Sequence, residues 1–311
     1  TTSGNNYQQV IENCDKVLAT DYYILEPVWK DNFSLTNNNS REAILACSFS
    51  SSDTEDQNQM MNQTLHYKDN LSLGGSFSAW NGVSAQPEYV RLFPEDDPRL
   101  GWTFLIGQQY DQKTGEALVI DHGFPLNHTI DIEMLPGTEY DGTTWGAVNQ
   151  HDGARCLKWD YADDLVDAME NDFHIFRLAD VYLMLAECYI FSESGFDKDN
   201  AVKYINKVRT RKGVNMPEIN NGTPQMAANT KEEVFERLRH ERTIELAAEG
   251  HSFSDMKRWK LLETLNGPVY GIALYNAYYT RVVTERDYLW PFPLSECEKN
   301  PDLAKGQNPG W

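Results

Sequence analysis

The chain has 311 residues and a formal net charge of −20, and hydrophobic and aromatic residues make up 41% and 12% of it. This composition is typical of a folded globular protein with a sizeable core, and it excludes a disordered chain. The negative charge argues against binding to nucleic acid or to an anionic membrane surface through the bulk electrostatic field. A neutral ligand is therefore expected.

Cysteine spacing and hydropathy exclude further classes of protein. The cysteines are odd in number, lie far apart and form no C-x-x-C motif, so we expect neither a zinc cluster nor a disulfide framework. They are Cys14, Cys47, Cys156, Cys188 and Cys297. No apolar run approaches the roughly 18 residues of a membrane span. Neither a metal nor a cofactor is predicted.

The chain begins with an amphipathic pattern and continues into a loop-rich region. Apolar residues between positions 7 and 18 repeat at helical spacing, which predicts a helix. Residues 30–165 are rich in Asn, Gly, Ser, Asp and aromatic residues, with turn signals at Asn81-Gly82 and Asp141-Gly142. Here we predict loops with a few short strands, and a short helix near residues 87–93.

From residue 173 the pattern becomes helical, and residues 170–265 are predicted to form a helical scaffold. The runs FHIFRLADVYLMLAECYIF and DKDNAVKYINKVRTRKG predict a helical hairpin of the tetratricopeptide type. A second helical pair is predicted over 230–250 and 252–265, starting at a capping box. Residues 266–311 are predicted to be irregular. The predicted fold class is mainly α, with tetratricopeptide-like helical hairpins plus a loop-rich region with a few short strands.

The stretch RHERTIELAAEGHSFSDMKRW raises the question of catalysis. A zinc peptidase helix needs a second His four residues after His240, and Ile244 occupies that position. A glycosidase needs two carboxylates across a cleft, whereas Glu241, Glu245 and Glu249 share one helical stripe. Like charges at this spacing repel unless cations lie between them, so structural ion pairs are the favoured interpretation. The predicted ion-pair residues are Arg177, Arg209, Arg237, Glu241, Arg242, Glu245, Glu249 and Arg258.

Several segments together resemble a known family. They are WNGVSAQPEYVRLFPEDDPRLGW, FRLADVYLMLAE, AVKYINKVRTRKG, ERTIELAAEGHSFSDMKRW and PFPLSECEKNPDLAKGQNPGW. Their order and spacing resemble the SusD/RagB family of outer-membrane nutrient-binding lipoproteins of Bacteroidetes. The resemblance covers nearly the whole chain. It implies a single domain over residues 1–311 that lacks most of the family's N-terminal helical region.

The resemblance also implies a function and a location. We expect a non-catalytic protein at the extracellular face of the outer membrane that captures glycans or oligosaccharides and delivers them to a SusC-like TonB-dependent transporter. Membrane contact is expected only through an N-terminal lipid anchor that this chain does not include. A peptide-binding member of the same family, a glycoside hydrolase and a purely structural helical scaffold stay open as alternatives.

Aromatic residues of the loop-rich region are the candidate ligand contacts. Trp and Tyr rings suit the apolar face of a sugar, and amide side chains suit its hydroxyl groups. The candidates are Tyr67, Trp80, Asn81, Trp102, Tyr110 and Trp145, with Gln108, Gln109 and Asp111 as polar neighbours. Trp80 and Trp102 are the leading candidates, because each lies beside a glycine or a tight turn. A place in the core is the alternative for each ring.

Overall fold

The computed structural model describes residues 6–50, 58–75, 79–120, 123–132, 151–161, 169–270 and 278–311. The chain divides into two compact units, one formed by Thr1–Glu133 with Gln150–Gly250 and the other by Met134–Asn149 with His251–Trp311. The single domain expected from the sequence stays a prediction.

The first unit contains both long helices and short strands. In chain order its elements are α1 (Tyr7–Leu18), β1 (Ala43–Cys47), α2 (Met60–Thr64), α3 (Asp69–Leu73), α4 (Pro87–Val90), α5 (Pro98–Thr103), β2 (Phe104–Leu105), β3 (Gly107–Gln108), β4 (Asn127–His128), β5 (Arg155–Cys156), β6 (Phe173–Arg177), α6 (Leu178–Phe191), α7 (Lys198–Arg209) and α8 (Lys231–Glu245). The predicted fold class, mainly α with a few short strands in a loop-rich region, is confirmed.

Helix α6 is the centre of the helical scaffold. It contacts α1, α7 and α8, and it is apolar on nearly every side. Leu183, Leu185, Ala186 and Ile190 are completely buried. A helix that is hydrophobic all round has to be covered by neighbours, and here the other long helices supply that cover.

Side-chain caps fix the starts of α7 and α8. Asp197 accepts a hydrogen bond from the backbone N–H of Asn200 at 3.0 Å. Thr230 and Glu233 form the predicted capping box, in which each side chain accepts the backbone N–H of the other. These contacts satisfy amide groups that have no partner within their own helix, so the two starting points are set by local sequence.

The first helix of the predicted hairpin starts later than the sequence pattern suggested. Residues Phe173–Arg177 form strand β6, which pairs antiparallel with β1 in the register Ala46 to His174. The helix begins at Leu178. The segment forms a strand because its partner strand β1 supplies backbone hydrogen bonds. Two shorter antiparallel pairs join β2 to β5 and β3 to β4.

The second unit is smaller, and its C-terminal residue is held by hydrogen bonds to the backbone. Its described elements are α9 (His251–Arg258), the antiparallel strands β7 (Gly267–Tyr270) and β8 (Tyr278–Arg281), α10 (Leu294–Lys299) and α11 (Pro301–Lys305). The Trp311 indole N–H donates to the carbonyls of Arg286 and Leu289 at 3.2 and 3.0 Å. Gly310 has a φ of +88°, and a Cβ there would lie 2.7 Å from Arg286, so glycine is required. Among the described residues, no helix has both the length and the apolarity needed to cross a bilayer.

Candidate functional site

Glu245, at the end of α8, is the centre of a buried ion-pair network. Its Oε1 accepts hydrogen bonds from Arg177 Nη1 at 2.7 Å, Trp29 Nε1 at 3.0 Å and Arg211 Nη1 at 3.1 Å. Its Oε2 accepts one from Arg99 Nη1 at 2.8 Å. Both oxygens of a fully buried carboxylate are therefore satisfied by charged or polar donors, as burial of a charge requires.

The other two carboxylates of the stripe are paired in the same way. Glu241 lies 2.7 Å from Arg99 Nη1 and 3.1 Å from Arg209 Nη1, and Glu249 lies 2.6 Å from Lys158 Nζ. The network comprises Glu42, Asp97, Glu241, Glu245 and Glu249 with Arg99, Lys158, Arg177, Arg209 and Arg211. Five anions face five cations, so the buried charge balances.

The electrostatics keep Glu42 and Glu245 ionised. Burial alone would raise the pKa of Glu245, but the charges of Arg177, Arg211 and Arg99 outweigh it and hold that pKa well below its usual range. Burial also tends to raise the pKa of Glu42. The charges of Arg211 and Arg177 outweigh this effect, so the pKa of Glu42 lies below its usual value. A carboxylate held without its proton cannot act as a general acid, so Glu42 and Glu245 do not have the electrostatics of a glycosidase acid.

Lys158 fastens the end of α8 from inside the core. Its amine donates to the carbonyls of Ala247 at 2.7 Å and Glu245 at 3.2 Å, and to Glu249 Oε1 at 2.6 Å. The three protons of the ammonium group are thereby used, and the group also lies 4.5 Å from the Phe33 ring centroid. A cation at this point complements the carbonyl-rich end of the helix.

The cations predicted from the sequence have several different partners. Arg177 and Arg209 lie in the network, and Arg242 pairs with Asp180 at 2.7 Å. The described partners of Arg237 and Arg258 are not the carboxylates of the predicted stripe. Arg237 donates to the carbonyl of Gln225, because the turn before α8 covers that part of the helix, and Arg258 pairs with Asp255 at 2.9 Å.

Sequence reasoning missed half of the network. Arg99 stands in the segment PEDDPRLGW, and Arg211 is the second arginine of the run RTR, so both had a recognisable motif. Glu42 and Lys158 had none, because a single charged residue in a loop-rich segment carries no spacing signal. Their roles arise from tertiary contacts alone.

Among the described residues of the loop-rich region, four aromatic rings are exposed. Tyr67, Trp80 and Tyr110 are 56%, 43% and 54% exposed, and Phe124, which sequence reasoning missed, is 57% exposed. We name these four side chains together the aromatic surface. Their exposure leaves ring area open to solvent, which is what stacking on a ligand requires.

The backbone beneath Trp80 is held by the segment that also carries Tyr67. The N–H of Asn81 donates to the carbonyl of Leu65 at 2.8 Å, and the N–H of Gly82 donates to that of Gln63 at 2.8 Å. Asn81 has a φ of +51°, the left-handed conformation of the predicted turn. A Cβ on Gly82 would lie 3.0 Å from the Gln63 carbonyl, which explains the glycine.

Tyr110 lies at the start of a tight turn. It forms an antiparallel bridge with Ala117, and the Asp111 carboxylate accepts the backbone N–H groups of Lys113 at 2.7 Å and Thr114 at 2.9 Å. The Thr114 and Lys113 hydrogen bonds lower the pKa of Asp111. The turn therefore keeps a negative charge next to the exposed ring of Tyr110.

The polar neighbours predicted from the sequence are mainly occupied by the fold. Gln108 Nε2 donates to the carbonyls of Gln109 and Leu118 at 2.7 and 3.0 Å. Gln109 is buried and donates to the carbonyl of Gly107 at 2.8 Å. The side-chain amides of Gln108 and Gln109 thus stabilise the backbone that leads to Tyr110. Their N–H groups donate to backbone carbonyls within the fold.

Trp102 and Trp145 have different outcomes from the other candidates. Trp102 is half-buried and stacks on Trp29 at 5.7 Å between ring centroids, with 23° between the planes. Because one face is covered by the core, only the remainder of the ring can meet a ligand. Trp145 lies outside the described residues.

No metal chemistry is indicated by the geometry of the described part of the chain. Within it, no group of three or more His, Cys, Asp or Glu side chains is arranged to hold a metal ion. The chemical capacity that the described residues offer is ring stacking with peripheral hydrogen bonding, set on a rigid helical support.

Comparison with known proteins identifies the class. The family model of the SusD family matches residues 41–311. The chain therefore belongs to the SusD family. Two SusD-like proteins of Formosa agariphila match shorter stretches. P25 is 35% identical over 135 residues and P38 is 27% identical over 138 residues, which cover 42% and 44% of this chain and 23% and 24% of the relatives. The matched stretches thus span about a quarter of each relative.

Solved structures share the fold at low sequence identity. A SusD-like protein of Bacteroides fragilis aligns with a TM-score of 0.68 and 20% identity, covering 98% of this chain and 62% of that one. Surface glycan-binding protein A of Bacteroides thetaiotaomicron, in complex with laminarihexaose, aligns with a TM-score of 0.61 and 17% identity, covering 97% and 59%. The chain therefore spans about three fifths of these relatives, and the likeness concerns the fold.

Proposed function

We propose that this chain is the glycan-binding part of a cell-surface capture protein that binds neutral oligosaccharides without cleaving them. The observation that carries the proposal is the aromatic surface, which holds exposed rings on backbone fixed by hydrogen bonds. Membership of the SusD family supports it. The laminarihexaose complex of the B. thetaiotaomicron relative supports a glycan as the ligand class.

The physical fit is to a ligand with flat apolar faces and few charges. Stacking of one sugar ring on an indole or phenol is expected to contribute on the order of 1 to 3 kcal/mol, by analogy with base stacking. A shallow site with a few such contacts binds in roughly the micromolar to millimolar range. Repeated engagement along a polymer raises the effective affinity without new contacts.

The direct test is calorimetric titration with neutral hexasaccharides, namely laminarihexaose, cellohexaose, maltohexaose and xylohexaose, followed by chromatography of the same mixtures after a day. We expect saturable heat with at least one sugar and no shorter products. Products that disappear on substitution of one carboxylate would favour the glycoside hydrolase instead. Saturable heat only with peptides of similar length would favour a peptide-binding member, and silence throughout would favour a helical scaffold.

Delivery to a SusC-like TonB-dependent transporter at the outer face of the outer membrane completes the proposed role. The support is family membership and the broad helical scaffold of α6 to α8, since helix pairs of this kind offer extended packing surfaces. The test is co-purification with the transporter encoded by a neighbouring gene, after expression of both from the same cells. A full-length protein that elutes free of the transporter in detergent contradicts this part of the proposal and leaves glycan binding to its own test.

A further inference from the structure

A buried acid–histidine pair lies beside the turn that carries Tyr67. Asp69 and His128 are both completely buried, and His128 Nε2 lies 2.9 and 3.0 Å from the two carboxylate oxygens of Asp69. His128 Nδ1 lies 2.9 Å from the backbone carbonyl of His151. A carbonyl oxygen only accepts, so Nδ1 carries a proton, and the contact on the other side of the ring needs a second one. The two side chains therefore share a proton across this contact.

The carboxylate of this pair also closes the turn that carries Tyr67. Asp69 Oδ2 accepts the backbone N–H of His66 at 2.7 Å, and the N–H of Asp69 donates to the carbonyl of His66 at 2.9 Å. The N–H of Lys68 donates to His66 Nδ1 at 3.2 Å. The backbone on both sides of Tyr67 is thereby held, although the Tyr67 ring itself is exposed.

The histidine of the pair lies in a different segment of the chain from the Tyr67 turn. His128 lies in β4, whose partner β3 pairs Gly107 with His128 and leads directly to Tyr110. The pair therefore connects the Tyr67 turn to the strands that carry Tyr110, by a charge-assisted contact in a water-free environment. Such contacts are stronger and more directional than a contact between neutral groups.

We propose that Asp69 and His128 are positioning residues, whose shared proton fixes the Tyr67 turn against the strand of Tyr110 and so sets the affinity of the aromatic surface. The affinity part of this inference rests on the proposed function. Neither residue reaches the ligand, because both side chains are completely buried. Their effect is exerted through the geometry of the exposed rings.

The matched pair of variants is Asp69→Asn and Asp172→Asn. Asp172 is also buried, and its carboxylate accepts the backbone N–H of Phe49 at 3.1 Å, away from the aromatic segments. Asp69→Asn is expected to raise amide hydrogen exchange of residues 64–70 at least tenfold and to weaken laminarihexaose binding at least tenfold. Asp172→Asn is expected to change neither, whatever it does to the melting temperature.

A nitrogen NMR measurement on the parent protein gives a second readout that needs no variant. A hydrogen-bonded proton is expected between His128 Nε2 and the Asp69 carboxylate, and its absence would overturn the proposed pair even if Asp69→Asn fails to fold. Unchanged exchange at residues 64–70 in a folded Asp69→Asn protein overturns the positioning role. Raised exchange with unchanged affinity overturns the link to the ligand. A parent that binds no hexasaccharide contradicts the proposed function, and the exchange and NMR results still decide the pair.

Discussion

The buried ion-pair network and the aromatic surface lie in the same unit and are built in opposite ways. In the network, fully buried side chains carry the contacts, and each charge needs the others. In the aromatic surface, the backbone carries the contacts and the rings are left open. The difference teaches where substitution is costly. A network residue is bound to the fold, whereas a surface ring can be exchanged without disturbing what lies beneath it.

Trp29 and Trp102 extend the ion-pair network towards a half-buried aromatic ring. Trp29 is completely buried and donates its indole N–H to Glu245 at 3.0 Å. Trp102 stacks on the other side of the Trp29 ring system and is only half-buried. The half-buried ring of Trp102, in α5, is therefore connected to the network through the indole of Trp29.

The largest difference between the two regions is expected on substitution of Glu245. Glu245→Ala leaves Arg177, Arg211 and Arg99 buried beside a missing charge, and we expect a loss of about 3 to 5 kcal/mol in the free energy of unfolding. Urea denaturation followed by circular dichroism measures it. Glycan affinity of the folded fraction should stay at the parent value, because the rings are fixed by other contacts.

The matched control for that change is Glu236→Ala on the same helix. Glu236 is exposed and pairs only across the helix surface with Arg239. Exposed pairs of this kind contribute about 0.2 to 1 kcal/mol, so the control should lose well under half of what Glu245→Ala loses. Equal losses in the two variants would show that the burial and pairing of Glu245 are not what stabilises the protein.

A pH experiment sharpens the comparison at His66, beneath the aromatic surface. Burial lowers the pKa of His66 from 6.5 to about 4, against the opposing charge of Asp69. The unfolded chain therefore binds the proton more tightly, and the stability contributed by neutral His66 is lost as pH falls from about 6.5 towards 4. Between about pH 7.5 and pH 5 this loss is about 2 kcal/mol.

His66→Asn isolates that contribution, because the Asn oxygen can still accept the Lys68 N–H that His66 Nδ1 accepts at 3.2 Å. Relative to the parent, the variant should gain about 2 kcal/mol on going from pH 7.5 to pH 5 in parallel urea denaturations. Both proteins lose stability below this range, since Glu42, Glu245 and Glu249 have depressed pKa values. A pH-independent difference between variant and parent would contradict the assignment.

How much the sequence could predict follows the same division between the two regions. The cap at Thr230 follows from spacing, so local sequence suffices for it. The helix predicted over 230–250 ends at Glu245, and Glu249 of the predicted stripe lies in the turn that follows, where Ala248 has a φ of +60°. Strand β6 was predicted as helix, because an apolar run does not announce its partner strand, and β1 lies about 130 residues earlier in the chain. Phe124 was missed for a related reason. Its exposure depends on the bridge between Val119 and Pro125, and no motif encodes that bridge.

Removal of a surface ring should affect binding and leave folding nearly unchanged. Trp80→Ala is expected to weaken hexasaccharide binding by about 1 to 3 kcal/mol, which is roughly 5-fold to 150-fold, as measured by calorimetry. The unfolding free energy should change by less than about 1 kcal/mol, because the backbone N–H of Trp80 keeps its bond to the Asn62 carbonyl. Trp290→Ala is the matched control, since that indole is 76% exposed and lies in the other unit. Equal affinities in both variants and the parent would place the ligand elsewhere.

The smallest expected effect is at the start of α8, outside both regions, and it sets the baseline for the comparison. Thr230 accepts the N–H of Glu233 at 3.2 Å, and Glu233 accepts the N–H of Thr230 at 3.0 Å. Thr230→Ala removes one of these caps and should cost about 1 kcal/mol in the free energy of unfolding. Thr230→Ser keeps the hydroxyl and should restore most of it. Because the cap satisfies an amide at the surface, its loss leaves no buried charge behind. A loss in the free energy of unfolding as large as that of Glu245→Ala would mean that α8 is stabilised from its start. The buried network would then contribute less than its geometry indicates.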